Sequence, residues 1–423
     1  MEVNSMHFLK HFLVTKKIVR LVKYSVLGSC LIGCLSHAAL AEVTAGAANT
    51  AVLPSIKLGK SVGATGESGR VGRGMILGSN IYLDQINQAG GIQGRKVEMI
   101  ALNDGYEPVR AAENVRQLID KDQVLALVGN NGSPTTAVVL PIVNEKKALL
   151  FGTYSGAAFL YKKPPDRYVF SFRASFAEEA AEMIKGLLSA GIKPSEIAFF
   201  GQNDAYGQAV YQGCIQALQA NGYPQIESLP RGDFSRNTLN VEGALAQIME
   251  EMKEPPKAII LGGNFGSNTK FAKLAVHQFP KVYILAVTGL INSSELTEQE
   301  QKRIIATQVV PVIDSNLPAV REYRDALKKY GNNAQSDSVS LESYLGTKLF
   351  VLALQKAVVE NKLTGEGIID TLESMHDIDI GLGLKISFDK AHHQALHKVW
   401  VTQLKDGKFV PFLWSEIQTA SNK

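Results

Sequence analysis

The chain has 423 residues, 45% hydrophobic and 20% charged, too long for one core and suited to two or three globular domains. It carries no low-complexity tract or internal repeat. The formal charge of +4 is misleading, because five of the 44 basic side chains and one of the 40 acidic ones lie in residues 1–41. Without that segment each sign counts 39, which removes the electrostatic motive for binding nucleic acid.

Residues 1–41 read as an export signal. Lys10, Lys16, Lys17, Arg20 and Lys23 precede an apolar run from Val26 to Leu35, and Ala39 and Ala41 then stand at positions minus three and minus one of a cleavage site. The apolar run is about half of the roughly 20 residues that a spanning helix needs. Leu31-Ile32-Gly33-Cys34 offers a rival processing site, at which Cys34 would be lipidated. Either route places the mature protein in the periplasm, free or lipid-anchored, with residues 42–53 as a linker. Cleavage after Ala41 leaves Cys214 as the sole thiol, expected as a small buried residue on a helix face and unable to form an internal disulfide.

The segments that follow alternate between strand and helix. The pattern predicts strands at 55–62, 96–102, 124–128, 148–151 and 168–172, separated by helices at 71–89, 108–120 and 135–145. A second series has helices at 177–190, 206–220, 239–252 and 269–277, with strands at 196–200, 225–229, 257–261 and 282–286. Continuous apolar strands between helices indicate parallel sheets covered on both faces. Three further helices are expected at 318–330, 339–360 and 365–375, then a hairpin of 399–404 and 409–414 around Asp406-Gly407. The expected architecture is α/β: two doubly wound parallel-sheet lobes joined by a multi-crossing hinge. Lobe 1 is assigned residues 54–173 and 311–378, lobe 2 residues 174–310 and 379–414, and 415–423 form a tail.

In such folds ligands bind beyond the carboxyl ends of the strands. Four loops stand there. In Gly129–Thr136, Ser133 reads as a helix N-cap with Pro134 at the first helical position, and Thr135 follows. Free N–H groups at such a start attract a carboxylate, although capping alone explains the sequence equally well. The second loop contributes Tyr154, Ser155, Gly156 and Ala157, the third Asp204 and Tyr206, and the fourth Phe265. Short polar side chains with single aromatics suit a small polar ligand. Thr288 ends the next strand, and Glu67 and Ser68 stand in the glycine-rich loop after the first.

Several segments in order resemble the periplasmic leucine/isoleucine/valine-binding protein family, the type I solute-binding proteins of ABC transporters. The most specific is Asp84-Gln85-Ile86-Asn87-Gln88-Ala89-Gly90-Gly91-Ile92-Gln93-Gly94-Arg95. Asn103-Asp104-Gly105-Tyr106-Glu107-Pro108 and the segments 128–136, 202–207 and 260–265 follow at matching places. The resemblance implies a two-lobed, non-enzymatic receptor that closes on a small ligand, such as an amino acid or related carboxylate, and delivers it to an ABC permease. It implies a monomer, no cofactor, a carboxylate contact at Ser133 aided by the 154–157 loop, and closure by Tyr206 from the second lobe. This chain departs from the pattern at three places. No carboxylate stands near Thr288 to hold a ligand ammonium, Gly156 replaces a threonine, and Tyr106 and Gly132 occupy the family's disulfide positions. Asp204 is a candidate replacement counter-charge or a simple cap.

Other readings carry less. Gly63–Gly69 has neither dinucleotide-fingerprint nor P-loop spacing, which weighs against a nucleotide-dependent enzyme. His392, His393 and His397 lack the cysteines or clustered acids of a metal site. A ligand-sensing module for a separate signalling partner is the alternative function.

Overall fold

The computed structural model describes residues 53–417; the expected export signal, Cys34 and most of the expected linker lie outside them. Two sheets form the two lobes. Lobe 1 runs β1 (Ile56–Val62), α1 (Gly69–Gln88), β2 (Val97–Asn103), α2 (Pro108–Arg116), β3 (Ala126–Val128), α3 (Ser133–Lys146), β4 (Leu150–Phe151) and β5 (Val169–Phe170). Its strands are all parallel, in the order β2-β1-β3-β4-β5.

Lobe 2 contains α4 (Phe176–Ser189), β6 (Ile197–Gln202), α5 (Ala205–Ala220), β7 (Arg231–Phe234), α6 (Glu242–Glu251), β8 (Ala258–Gly262), α7 (Phe265–Gln278), β9 (Tyr283–Ala286), α8 (Glu298–Gln301) and β10 (Ile304–Gln308). The chain then returns to lobe 1 with α9 (Pro318–Tyr330), α10 (Ser338–Val359) and α11 (Gly365–Glu373), and ends in the hairpin β11 (Trp400–Lys405) and β12 (Lys408–Pro411). The second sheet has the order β12-β11-β10-β9-β8-β6-β7, parallel except for the hairpin.

The predicted alternation holds, with informative shifts. No strand forms at 225–229; the chain pairs with β6 through 231–234 instead, where Gly232 packs so tightly on α6 that a Cβ would lie 2.0 Å from the Ala244 carbonyl. β10 went unread, although Ile304-Ile305-Ala306 is a short apolar run of the kind periodicity cannot separate from a helix. Helix α7 starts four residues early, at Phe265. The hairpin turns at Asp406 (φ 50°) and Gly407 (φ 77°), the two left-handed residues of a two-residue hairpin turn. Ile380, Leu382, Ile386, Phe388, Ala395 and Leu396 pack into the lobe 1 core, so the chain remains in that lobe longer than the expected boundary at 378.

Between the lobes the chain crosses three times. After β5 it runs through Ser171–Ser175, and the final return at Ala395-Leu396 lies beside it, with Ala395 N–H donating to Ser171 O (2.8 Å) and Leu396 N–H to Phe172 O (3.0 Å). The middle crossing follows β10, where Val310 enters the lobe 1 core. Short extended crossings of this kind absorb a hinge rotation without breaking either core.

α1 and α10 are the most closely packed helices of lobe 1. A Cβ on Gly78 would lie 2.0 Å from the Ser340 carbonyl, and Ser343 Oγ donates to Met75 O (2.7 Å). That approach carries α10 across the hinge end of the lobe, which brings Glu342 to the site.

Candidate functional site

The carboxyl ends of the strands in both lobes face one cleft, and the lobes meet across it. Asn264 Nδ2 donates to Ser68 Oγ (2.9 Å), Ser267 N–H to Glu67 Oε1 (3.1 Å), Asn237 Nδ2 to Glu107 Oε1 (2.7 Å) and Arg236 Nη2 to Glu107 Oε2 (3.0 Å). Arg70 also bonds to Asn292. Between the lobes lies a cavity of about 20 Å³, space for about one water molecule. A ligand of amino-acid size therefore enters only when the lobes part.

Both lobes line this cavity. Lobe 1 supplies Val71, Tyr106, Asn131, Gly132, Ser133 and Tyr154; Arg173 stands on the first crossing; Phe176, Tyr206, Asn264, Thr288 and Leu290 come from lobe 2. Four of the expected site residues, Ser133, Tyr154, Tyr206 and Thr288, are thus brought together.

The others stand around it. Ser155 Oγ shares a hydrogen bond with Ser133 Oγ (2.8 Å), and Ala157 N–H donates to Ser155 Oγ (3.3 Å). Thr135 turns its hydroxyl back to Gly132 O (3.0 Å), a bond within its own helix start that caps no N–H. Gly156 packs on the start of α4, where a Cβ would lie 2.5 Å from Phe176 N. Asp204 caps α5 through Tyr206 N–H (2.9 Å) and pairs with Arg236 (3.2 Å). The ring of Phe265 stacks under Arg70, 3.9 Å from its guanidinium carbon. Glu67 and Ser68 belong to the seam. Burial pushes the Glu67 carboxyl up, opposed by the bonds from Ser267 and Asn264, and its Oε2 has no partner.

The start of α3 differs by one residue from the sequence reading. Gly132 is the N-cap, at φ 88°, and no side chain caps the helix. Ser133 is the first helical residue, and its hydroxyl turns to Ser155 instead. An uncapped helix start of 14 residues, with two linked hydroxyls beside it, favours an anion. Gly132 is required here because the Tyr106 ring lies against it, 2.2 Å from where a Cβ would stand. The two positions at which the resemblance implied a disulfide are therefore neighbours, held by an aromatic ring on a glycine.

Sequence reasoning missed the charged centre of the site. Arg173 is 1% exposed. Its Nη2 donates to Thr288 Oγ1 (2.5 Å) and Glu179 Oε1 (3.2 Å), Nη1 lies 3.6 Å from Glu342 Oε1, and Nε has no partner. Burial works against its charge, and Glu342 and Glu179 more than reverse that effect. Glu179, on the first turn of α4, accepts from Thr288 N–H (2.8 Å), Thr288 Oγ1 (2.9 Å) and Thr307 Oγ1 (2.7 Å) as well as from Arg173. A carboxylate does therefore reach the Thr288 turn, but from a different helix. Glu342 lines a second water-sized cavity inside lobe 1, also about 20 Å³, shared with Tyr154, Gly129 and Phe172. Burial pushes Glu342 up to about 7, against the pull of Arg173 and aided by Glu179.

The three histidines are engaged separately. His393 stacks on Phe170 (3.8 Å), His397 pairs with Glu178 (2.7 Å) and His392 with Asp389 (3.0 Å). Among the described residues no group of three metal-ligating side chains occurs, and no helix is long and apolar enough to cross a membrane.

Two α/β lobes closing on a cavity rich in hydroxyls, amides and aromatic rings define a solute-binding protein rather than an enzyme. Residues 55–408 match the sequence profile of the periplasmic binding proteins, and the chain belongs to that family. It is 25% identical over 393 residues to the Leu/Ile/Val-binding protein homolog 7 of Brucella melitensis, spanning 88% of this chain and 94% of that one. A crystal structure of a possible leucine/isoleucine/valine-binding protein from Rhodopirellula baltica superposes with a TM-score of 0.81 at 34% identity, over 87% of this chain and 98% of the other. A solute-binding protein of an ABC transporter from R. palustris, in complex with benzoate, superposes at 0.72 and 16% identity, over 85% and 95%, and so shares the fold.

Proposed function

We propose that this protein captures a small carboxylate, an amino acid or a related organic acid, between its lobes outside the cytoplasm and delivers it to the permease of an ABC transporter. The observation that carries this reading is the uncapped start of α3, with the Ser133–Ser155 hydroxyl pair, opening on a cavity that both lobes line. Ser133 and the first amides of α3 hold the ligand carboxylate. Tyr154 and Tyr206 close over its body, and Thr288 meets its far end. Ligand held by both lobes stabilises the closed form through contacts the open form lacks, and a permease then distinguishes loaded from empty protein. The R. baltica and B. melitensis relatives, named for branched-chain amino acids, and the benzoate complex agree with a carboxylate ligand.

A thermal-shift screen of amino acids, organic acids, sugars and polyamines tests this. At about 100 times its Kd a true ligand adds roughly 2.7 kcal/mol of stability. Stabilisation by at least one carboxylate is expected. A response confined to sugars or polyamines would overturn the reading.

A further inference from the structure

The charges around the cavity narrow the ligand class. Among its twelve lining residues only Arg173 is charged. An anion entering between Ser133 and Arg173 meets a free helix start, a hydroxyl pair and a guanidinium whose Nε is buried without a partner. A ligand cation meets no carboxylate in that lining, only neutral oxygens and aromatic faces. Glu179 is the nearest carboxylate to the Thr288 wall, but four donors already occupy it: Thr288 twice, Thr307 and Arg173. It lies behind Thr288 and does not line the cavity. Glu342 faces the separate cavity inside lobe 1. Asp204 is held by Arg236, Gln202 and the start of α5, and Glu67 is at the seam, bound to the start of α7.

Every carboxylate near the site is thus engaged or turned elsewhere, and the polar side chains of Thr288, Asn264 and Asn131 that line the cavity are neutral. An ammonium placed there would stand in a closed pocket beside Arg173 and without a carboxylate counter-ion, an arrangement that leaves most of its desolvation uncompensated. The rest of the wall is apolar or aromatic, from Val71, Phe176, Tyr206 and Leu290. Resting on the carboxylate reading above, we infer that the ligand is a monocarboxylate with an apolar or aromatic body and no free ammonium group, and that Arg173, with Glu179 locked beneath Thr288, is the specificity-determining element.

The test uses matched triplets, so that binding can be compared without disturbing the buried Arg173. One set is 4-methylpentanoate, L-leucine and 4-methylpentanamide; the other is 3-phenylpropanoate, L-phenylalanine and 3-phenylpropanamide. Each is titrated calorimetrically into the full chain, stripped of bound solute, at neutral pH. The acid of at least one set should bind ten-fold or more tightly than both its amino-acid and its amide counterpart. An amino acid that binds as tightly as the matching acid overturns the selection against ammonium while leaving the carboxylate reading intact. An amide that binds as tightly as the acid overturns the carboxylate reading itself. If no member of either set binds, the inferred ligand class falls, and the carboxylate reading stands or falls with the thermal-shift screen.

Discussion

The two lobes share a topology but not a chemistry. In lobe 2 the central strands Ile197-Ala198-Phe199-Phe200, Ala258–Leu261 and Tyr283–Ala286 are buried and wholly apolar apart from the Tyr283 hydroxyl. Two of its cleft-facing helices, α4 and α5, start on Ser175 and Asp204, each accepting a backbone N–H at its own helix start, and the third, α7, gives its Ser267 N–H to Glu67 of lobe 1. In lobe 1 a central strand buries Lys60, the neighbouring α10 buries Glu342, and the cleft-facing α3 starts without a side-chain cap. One lobe satisfies its buried charge, Glu179, with four donors. The other keeps unsatisfied charge and open amides beside the cleft. Binding sites retain polarity that folding alone would remove, and here that cost falls mainly on lobe 1 and the crossing next to it.

The largest expected effect comes from removing the charge that joins the lobes. Arg173→Met leaves Glu179 and Glu342 buried without their cation, and should cost about 3–5 kcal/mol, read as a drop in the urea midpoint. An unchanged midpoint would mean that the network contributes nothing to holding the crossing.

Lys60→Met should act in the opposite direction. Lys60 is fully buried with only Ser79 Oγ (2.8 Å) and Met75 O (3.4 Å) as acceptors, and burial lowers its pKa to about 7. The unfolded chain keeps that proton up to the ordinary lysine range, so between about pH 7 and pH 10.5 it binds more protons than the native state, and stability rises with pH across the window. Replacing the amine with an isosteric apolar chain should stabilise the protein at neutral pH by roughly 2 kcal/mol, less than the full shift implies because two acceptors lose their donor. It should also flatten the pH dependence. Thermal melts at pH 6.5 and 9.5 check both points, and a destabilised K60M would assign the amine a partner beyond these acceptors.

The smallest effect is expected at the seam. Arg236 is partly exposed and bridges Asp204 and Glu107 across the cleft. Arg236→Ala should change stability by less than about 1 kcal/mol yet speed ligand release several-fold, because it removes contacts that only the closed form makes. Stopped-flow dissociation measures this; a large loss of melting temperature with an unchanged release rate would place Arg236 in the fold rather than in closure.

Much of this protein was legible locally. The strand–helix alternation, the Asp406-Gly407 turn and the polar loops at strand ends obey rules that act over a few residues, and four of the loop residues they single out do line the cavity. Even Lys60 was readable after the fact: Ile56, Leu58, Lys60 and Val62 share one face of a strand by its period of two, and that face is core. The charged centre was not legible. Arg173 and Glu342 stand 169 positions apart and meet only because α10 packs on α1 at Gly78 and the first crossing passes beneath it. Glu179 lies six residues from Arg173, but its role depends on Thr288 and Thr307, which arrive from other strands. Which side chains can sit at a strand end is decided by nearby backbone geometry. Which charge faces which is decided by how distant elements pack, since the energy of a buried pair depends on separation and on exclusion of water, and neither is written in the local sequence.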